Sequence, residues 1–202
     1  MRVIVTFSGG KDSLAALLWT REHITKNFTT VFCDTGWEHP LTYEYIHRIA
    51  DKLHLDLVTL KPKKYSYRGK DVRVFRSQFA DDLLRPVFDW SAQQVIDYIL
   101  AAGLEPNPLY KMGYKRVGCW PCVMCSQRDI LNIAIQSPER IEQIANLEKE
   151  LQSSFFGPNK IPTRAITSGN KYSSIRDVVR YVQWQNATGS LFDDDTATSC
   201  MS

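Results

Sequence analysis

The stretch Ser8-Gly9-Gly10-Lys11-Asp12-Ser13 decides the fold of this chain. It stands between a β-branched, apolar run at residues 3–7 and an amphipathic run that begins at Leu14. A buried strand, a glycine turn and a helix start therefore follow one another within about twenty residues. Such a junction directs backbone N–H groups and the positive end of a helix dipole at one place, which favours the binding of a phosphate group.

The residues of this stretch suit an anion individually. Gly9 and Gly10 allow positive φ and the close approach of a ligand. Asp12 is placed either to orient Lys11 or to lie near Mg²⁺. The remaining donors are the ammonium group of Lys11 and the hydroxyl groups of Ser8 and Ser13. A plain tight turn is the alternative, but the strand–turn–helix context favours phosphate binding.

The length and composition of the chain limit the classes of protein to which it can belong. The chain has 202 residues, of which 44% are hydrophobic, and this suits one α/β domain over residues 1–155 with a C-terminal appendage and mobile tail over 156–202. A net charge of +3 does not by itself indicate nucleic acid. No apolar run approaches the roughly 20 residues that span a bilayer, so no membrane partner is expected. Five cysteines, three of them bunched, do not form a secreted disulfide framework, and we expect a cytoplasmic protein.

The first sixty residues alternate between strand and helix patterns. Apolar strands at residues 2–7, 29–33 and 55–60 are separated by helices at 12–26 and from Pro40 onward, which predicts a parallel sheet with helices on both faces. The turn at residues 34–37 and the glycine stretch both follow carboxyl ends of strands. We therefore expect them to face one cleft.

Residues 61–76 interrupt this rhythm with seven cations and three aromatic residues, Tyr65, Tyr67 and Phe75. A solvated loop is one interpretation of such a charge run. The other is a clamp for an anionic substrate, either a nucleotide phosphate, a sulfate or a nucleic acid backbone.

Cys119, Cys122 and Cys125 form a C-x2-C-x2-C run just before a predicted helix. Thiolates at this spacing favour an iron–sulfur cluster, with [4Fe-4S] preferred, or zinc as the second choice. Three buried free cysteines are the structural alternative. The fourth ligand stays open between Cys33, Cys200 and an open iron position that holds substrate or sulfide.

Several segments together resemble a known family. The glycine stretch resembles the pyrophosphate loop S-G-G-x-D-S of the ATP pyrophosphatase superfamily. The ordered set resembles the phosphoadenosine-phosphosulfate reductase family, which also contains the sulfur-transfer proteins of DNA phosphorothioation. The segments of this chain that carry the resemblance are residues 8–13, Asp34-Thr35-Gly36 with Thr42-Tyr43, residues 85–91, Asn107-Pro108-Leu109-Tyr110 and residues 113–122.

This resemblance implies a doubly wound parallel sheet of five strands, the adenine nucleotide alpha hydrolase-like fold, with a helical C-terminal appendage. It implies that ATP or an adenylyl sulfate, with Mg²⁺, is held by Ser8 to Ser13 and lies beside Asp34 and Gly36. Arg85 and Arg116 are candidate anion contacts. Lys11 and Asp12, together with Cys200, are the candidate catalytic residues.

Two departures from the family pattern guide the choice of reaction. The tail Thr198-Ser199-Cys200-Met201-Ser202 lacks the Glu-Cys-Gly-x-His segment of the reductases, and the chain has no adjacent Cys-Cys pair. We therefore favour ATP-dependent adenylylation and sulfur transfer that releases pyrophosphate, with a nucleic acid acceptor held by residues 61–76. In that scheme the cysteine cluster carries sulfur from a donor protein.

Two other functions are retained. One is a reductase of adenylyl or phosphoadenylyl sulfate, in which Cys200 attacks sulfur and a thioredoxin-like partner resolves the intermediate. The other is a non-catalytic nucleotide-binding subunit of a modification complex. A homo-oligomer or a complex subunit is expected.

Overall fold

The computed structural model describes residues 3–61, 63–67, 70–74, 84–169 and 171–189, with the backbone alone over 63–67 and 70–74. These residues form two compact units. The first contains residues 1–112 and 117–120, and the second contains 113–116 and 121–202. This division differs from the predicted boundary at residue 155, because the segment 121–155 belongs to the helical second unit.

The first unit is built on a parallel sheet of three strands in the order β1-β2-β3. The strands are β1, Ile4–Thr6, β2, Thr29–Cys33, and β3, Leu57–Leu60. Helix α1, Lys11–His23, connects the first two strands, and helix α2, Pro40–Leu53, connects the second pair. The predicted alternation of strands and helices is thus confirmed, with element ends that shift by a few residues.

One face of this sheet carries the core. Val5 of β1, Phe7 directly after it and Phe32 of β2 are less than a tenth exposed, and they pack with buried residues of α1 and α2. The other face is only partly exposed, since Val58 of β3 is 38% exposed while its register partner Val31 of β2 is 4% exposed. Alternate side chains of a strand point to opposite faces, so the unbroken burial within β2 shows that this central strand is covered on both faces.

The α/β class and the parallel sheet are confirmed, but the sheet has three strands rather than the expected five in the described part of the chain. After β3 the backbone forms an antiparallel pair, β4, Lys63–Tyr67, and β5, Lys70–Val74, which is a sheet of its own. A tight hairpin reverses the chain without the crossover helix that a further parallel strand requires.

Helix α3, Ala92–Ala101, completes the first unit and packs against α1. Ser91 and Gln94 form the capping box at its start, which confirms the predicted cap. After α3, Pro108–Tyr110 forms a 3-10 turn. Proline restricts the residue before it but itself suits the first position of a helical turn, and the Asn107 side chain caps this one.

The second unit is helical. It contains α4, Gln127–Gln136, α5, Pro138–Leu151, and α6, Ile175–Thr188, which all pack against one another. Two capping boxes, Ser126 with Asp129 and Ser174 with Asp177, start α4 and α6. No helix in the part of the chain that the structure describes is long and apolar enough to cross a membrane.

Candidate nucleotide site and cysteine turn

Gly9 is fixed by close packing beneath the loop that joins β1 to α1. Its φ is +78°, and a Cβ atom built there would lie 2.8 Å from Thr42 Cγ2 and 3.0 Å from Ile46 Cγ1. A side chain is therefore excluded both by backbone conformation and by helix α2. The loop backbone is held against the core of the first unit.

The first turn of α1 opens onto this loop. Gly10 is its N-cap and makes no side-chain capping bond. The N–H groups of the first turn have no acceptor four residues upstream within the helix, as at every helix start. One of these N–H groups already has an acceptor in the protein: the backbone N–H of Lys11 donates to the Tyr110 hydroxyl at 3.0 Å. The loop therefore presents backbone donors with a phenol beside them.

Asn107 is buried, with 1% exposure, and it ties the glycine loop to the 3-10 turn. Its Nδ2 donates to the carbonyl oxygen of Gly9 at 3.2 Å, and its Oδ1 accepts from the backbone N–H of Leu109 at 3.0 Å. One buried amide thus satisfies a carbonyl of the loop and caps the turn that carries Tyr110. Such fully bonded buried amides are costly to remove.

The charged and hydroxyl groups of the loop pair with one another. Lys11 Nζ lies 2.8 Å from both oxygens of Asp12. The Asp12 side chain is 65% exposed whereas that of Lys11 is only 18% exposed, so water screens this ion pair only in part. Ser13 Oγ donates to the Gly10 carbonyl and accepts from the Ser8 hydroxyl at 3.2 Å.

The turn after β2 is built around two carboxylates. Asp34 Oδ1 accepts from the backbone N–H of Gly36 at 2.9 Å, and the Tyr43 hydroxyl lies 2.7 Å from the same oxygen. Tyr43 also lies 2.9 Å from Glu38 Oε2, and Glu38 is nearly buried. Burial, and the two carboxylates that accept its hydrogen bond, raise the pKa of Tyr43.

Cys33 ends β2 at an exposed position. Partial desolvation of its sulfur, followed by the charge of Glu38, raises the pKa of the Cys33 thiol. A metal ion deprotonates the thiols that it binds, so the raised pKa of the free thiol does not exclude Cys33 as a ligand. The choice of Cys33 as the fourth ligand stays a prediction.

Cys119 is attached to the Asp34 turn. Residues Glu38 and Cys119 form an antiparallel bridge, and the backbone N–H of Trp120 donates to the carbonyl oxygen of Trp37 at 2.8 Å. The rings of His39 and Trp120 meet edge to face, with 4.4 Å between their centres. Cys119 is therefore held by backbone contacts of the first unit.

Cys122 and Cys125 belong to the second unit, where they share one turn. The backbone N–H of Met124 donates to Cys122 Sγ at 3.4 Å, and the N–H of Cys125 donates to the Cys122 carbonyl at 3.0 Å. Burial raises the pKa of the Cys125 thiol to about 12, although the nearby ammonium group of Lys160 opposes this effect. Lys160 also donates to the Cys125 carbonyl oxygen.

The fit of a metal centre to these residues is partial. A turn with a backbone N–H directed at the first sulfur suits two thiolate ligands. However, among the described residues no group of three or more His, Cys, Asp or Glu side chains is gathered as a metal site requires. The three-cysteine metal set that the spacing indicates stays a prediction.

The remaining predicted residues lie as follows. Arg85 is exposed, with its guanidinium carbon 6.0 Å from the centre of the Phe88 ring, and Arg116 is exposed in the second unit. Lys61 Nζ lies 3.9 Å from Asp34 Oδ2. The structure does not describe Cys200 or the side chains of the basic stretch beyond Lys61. The roles assigned to these residues therefore stay predictions.

Sequence reasoning missed the roles of Asn107, Tyr110, Glu38 and Lys160. An asparagine directly before a proline is a signal for a capped turn and could have indicated Asn107. The contacts of the other three are made across 35 to 99 residues of sequence or through a turn, and no local pattern reveals them.

The sequence of this chain matches the model of a known protein family. Residues 2–82 and 70–125 match the model of the phosphoadenosine phosphosulfate reductase domain. The chain belongs to this family. The family match confirms the resemblance seen in the sequence. Its two pieces overlap near the antiparallel hairpin, which is where the parallel sheet stops after three strands.

Individual relatives of this phosphoadenosine phosphosulfate reductase-family protein are distant. An uncharacterised protein of Methanocaldococcus jannaschii is 25% identical over 199 residues, which is 73% of this chain and 42% of the relative. An uncharacterised 37.8 kDa protein of Escherichia phage 186 is 30% identical over 129 residues, which is 57% of this chain and 37% of the relative. The chain thus spans less than half the length of these relatives.

Two further similarities carry the name of an activity. Adenosine 5'-phosphosulfate reductase of Neisseria meningitidis serogroup A is 46% identical over 41 residues, which is 20% of this chain and 17% of that enzyme. The crystal structure of phosphoadenylyl-sulfate reductase from Candida auris has a TM-score of 0.47 at 19% identity and covers 59% of this chain and 82% of that one. The family membership makes this protein a nucleotide-binding domain of the reductase family.

Proposed function

We propose that this protein binds ATP through residues 8–13 and transfers the adenylyl group to an acceptor oxygen, with release of pyrophosphate, as the first step of a sulfur transfer. The observation that supports it is the loop itself. Gly9 is packed where no side chain fits, the first turn of α1 has no side-chain cap, and Lys11 pairs with the exposed carboxylate of Asp12.

The chain's residues would act mainly by position and charge. The N–H groups at the start of α1 and the ammonium group of Lys11 would bind the β- and γ-phosphates. The acceptor oxygen then forms a bond to the α-phosphorus while the bond from that phosphorus to the bridging oxygen breaks, and pyrophosphate leaves. The loop donors stabilise the charge that develops on the leaving group.

Mg²⁺ suits the oxygen groups beside the loop. Asp12 offers an exposed carboxylate, and the hydroxyl groups of Ser8 and Ser13 lie next to it in the sequence. A bound Mg²⁺ would neutralise part of the phosphate charge. The Lys11 to Asp12 contact would then open, so that each side chain serves the nucleotide complex.

The experiment measures pyrophosphate release from ATP by the purified protein, alone and with candidate acceptors, in parallel with ATP binding. Lys11→Met should lower ATP affinity by about tenfold or more, since it removes a charged hydrogen bond to phosphate. Lys26→Met, which alters an exposed cation outside the loop, is the matched control. Failure of the wild-type protein to bind ATP would overturn the proposal.

The two other functions become outcomes of the same experiment. Thioredoxin-dependent release of sulfite from an adenylyl sulfate, lost in Cys200→Ser, would establish a reductase in place of adenylyl transfer. Nucleotide binding without turnover of either substrate would establish a binding subunit.

A metal centre at the cysteine turn is a further part of this proposal. Cys122 and Cys125 would supply two thiolates, with Cys119 as the third ligand, to an iron–sulfur cluster or to zinc. Anaerobic purification followed by iron and zinc analysis and an absorption spectrum tests it. Its independent readout is thiol labelling, because bound metal should slow the alkylation of the exposed Cys119 relative to chelator-treated protein, while the labelling of Cys33 should be the same with and without metal.

A further inference from the structure

Positive charge is concentrated in the last described part of the second unit. Residues 155–189 contain five Lys and Arg residues but only one carboxylate, Asp177, whereas helix α5 contains four Glu residues and two cations. The two parts therefore differ in the sign of their net charge, although one ion pair, Arg176 with Glu142, joins them at 2.6 Å. A basic segment of this kind is the electrostatic feature of surfaces that bind polyanions.

A surface cavity of about 320 Å³ lies within this basic segment. Its lining includes Gln127, Lys160, Thr163 and Tyr181. Arg164 follows Thr163 directly and is exposed. A guanidinium nitrogen of Arg180, the neighbour of Tyr181, lies 3.4 Å from the Ala165 carbonyl and 2.6 Å from Asp177 Oδ1, which fixes α6 against the chain segment that carries Arg164.

Lys160 is held in place at this cavity. Its ammonium group donates to the carbonyl oxygen of Cys125 and lies 4.6 Å from the centre of the Phe156 ring. An ammonium group has three donors, so a lysine anchored through one of them can still bind an anionic oxygen.

Tyr181 lines the same cavity, and Trp184 is its neighbour on α6. The ring of Tyr181 lies 6.0 Å from the ring of Trp184, with 32° between their planes, and Trp184 is 58% exposed. Trp184 therefore offers a solvent-accessible ring beside the basic side chains. Rings of this type are the platforms on which unpaired bases stack.

The cavity also contains an unsatisfied acceptor. Gln127 Oε1 is buried and has no hydrogen-bond partner among the described residues, while Nε2 makes a long bond of 3.5 Å to the Lys160 carbonyl. A small rotation of this side chain would offer an amide to the hydrogen-bonding edge of a base. Amide groups recognise base edges through paired donor and acceptor atoms.

We propose that this surface, formed by Lys160, Arg164, Arg180, Tyr181 and Trp184 and named the α6 surface, binds single-stranded nucleic acid. Phosphates lie on the cations, and one base stacks on Trp184 beside the cavity. A duplex is disfavoured because its bases are already stacked and their faces are covered. An acidic peptide would use the cations but would leave the ring platform and the Gln127 amide without partners.

This inference deepens the proposed function, on which it rests, because it names single-stranded nucleic acid as the class of acceptor. It places the binding surface on α6, whereas the prediction for residues 61–76 stays a prediction. The test of this inference does not need ATP, so the inference and the proposed function can fail separately.

The test is the fluorescence anisotropy of a labelled single-stranded oligonucleotide of about 12 nucleotides, titrated with the full chain without ATP at two salt concentrations. Wild-type protein should bind more weakly at the higher salt concentration. Trp184→Ala should weaken binding by about tenfold and Trp184→Phe much less, because a smaller ring still stacks. Arg164→Met should weaken binding and reduce the dependence on salt. Lys149→Met on α5 should change neither.

Several results would overturn the inference. They are absence of oligonucleotide binding, equal affinity for a duplex of the same length, an unchanged affinity of Trp184→Ala, or full displacement of the oligonucleotide by an acidic peptide at equal charge concentration. Lys11→Met separates the two proposals, since it should lose ATP affinity and retain oligonucleotide affinity.

Discussion

The glycine loop and the cysteine run are both short motifs, but they differ in how the surrounding structure supports them. Residues 8–13 lie in one compact unit, packed against α2 and bonded to Asn107. The cysteine run is divided, because Cys119 belongs to the first unit while Cys122 and Cys125 belong to the second. A site whose supports lie in one unit is formed before any ligand binds, whereas a divided ligand set is not assembled by one core.

The largest effect is expected from Gly9→Ala, which disturbs the packing beneath the glycine loop. A methyl group at φ +78°, within 3 Å of Thr42 and Ile46, should cost about 2 to 4 kcal/mol of unfolding free energy and abolish ATP binding. Urea denaturation and nucleotide titration measure the two effects. Gly103→Ala is the control, since its φ is +71° but nothing lies within 4 Å of the added atom, and it should cost only about 1 kcal/mol. Equal losses in both variants would show that packing beneath the loop is unimportant.

Asn107→Ala tests the second support of the loop. It leaves a buried carbonyl of Gly9 and the N–H of Leu109 without their partner, and should cost about 2 to 3 kcal/mol with a clear loss of ATP affinity. Asn132→Ala removes a similar bond, to the Gly113 carbonyl, at a more exposed position of the second unit. That control should lose less stability and retain ATP affinity, and the reverse order would contradict the assignment.

Two matched helix caps sharpen the comparison at the cysteine run. Asp129 and Asp177 form equivalent capping boxes, so Asp129→Ala and Asp177→Ala should each cost about 1 to 2 kcal/mol in thermal unfolding. Only Asp129 follows the cysteine turn directly, through Ser126. The thiolate absorption of added Co²⁺ should therefore weaken in Asp129→Ala and persist in Asp177→Ala. Equal effects on cobalt binding would place the metal away from this turn.

The smallest expected effect is a pH dependence of the second unit. Burial raises the pKa of Asp177, but hydrogen bonds from Ser168, Thr167 and Ser174 lower it more, so the pKa lies below its usual range. The stability from Asp177 is therefore present above about pH 4, the usual pKa of Asp, and is lost as the pH falls below it toward the lowered folded-state value. The loss should be on the order of 1 kcal/mol and absent in Asp177→Asn, as unfolding midpoints between pH 6 and pH 3 would show.

Local sequence determined much of this protein. The pattern around residues 8–13 predicted the strand, the glycine turn and the helix start, because phosphate-binding loops need these residue types in this order. Ser91, Ser126 and Pro138 marked helix starts, since capping and φ preferences act over a few residues. The ordered motifs also identified the family that the comparison confirms.

Tertiary structure alone decided the rest. In the described part of the chain the parallel sheet has three strands, Tyr110 lies against Lys11 across 99 residues, and the cysteines are divided between two units. The basic and aromatic residues of α6 become one surface only when the segment containing Lys160 folds onto that helix. Propensity and periodicity report interactions between near neighbours, whereas these contacts depend on which distant segments share a core, and no short stretch of sequence encodes that choice.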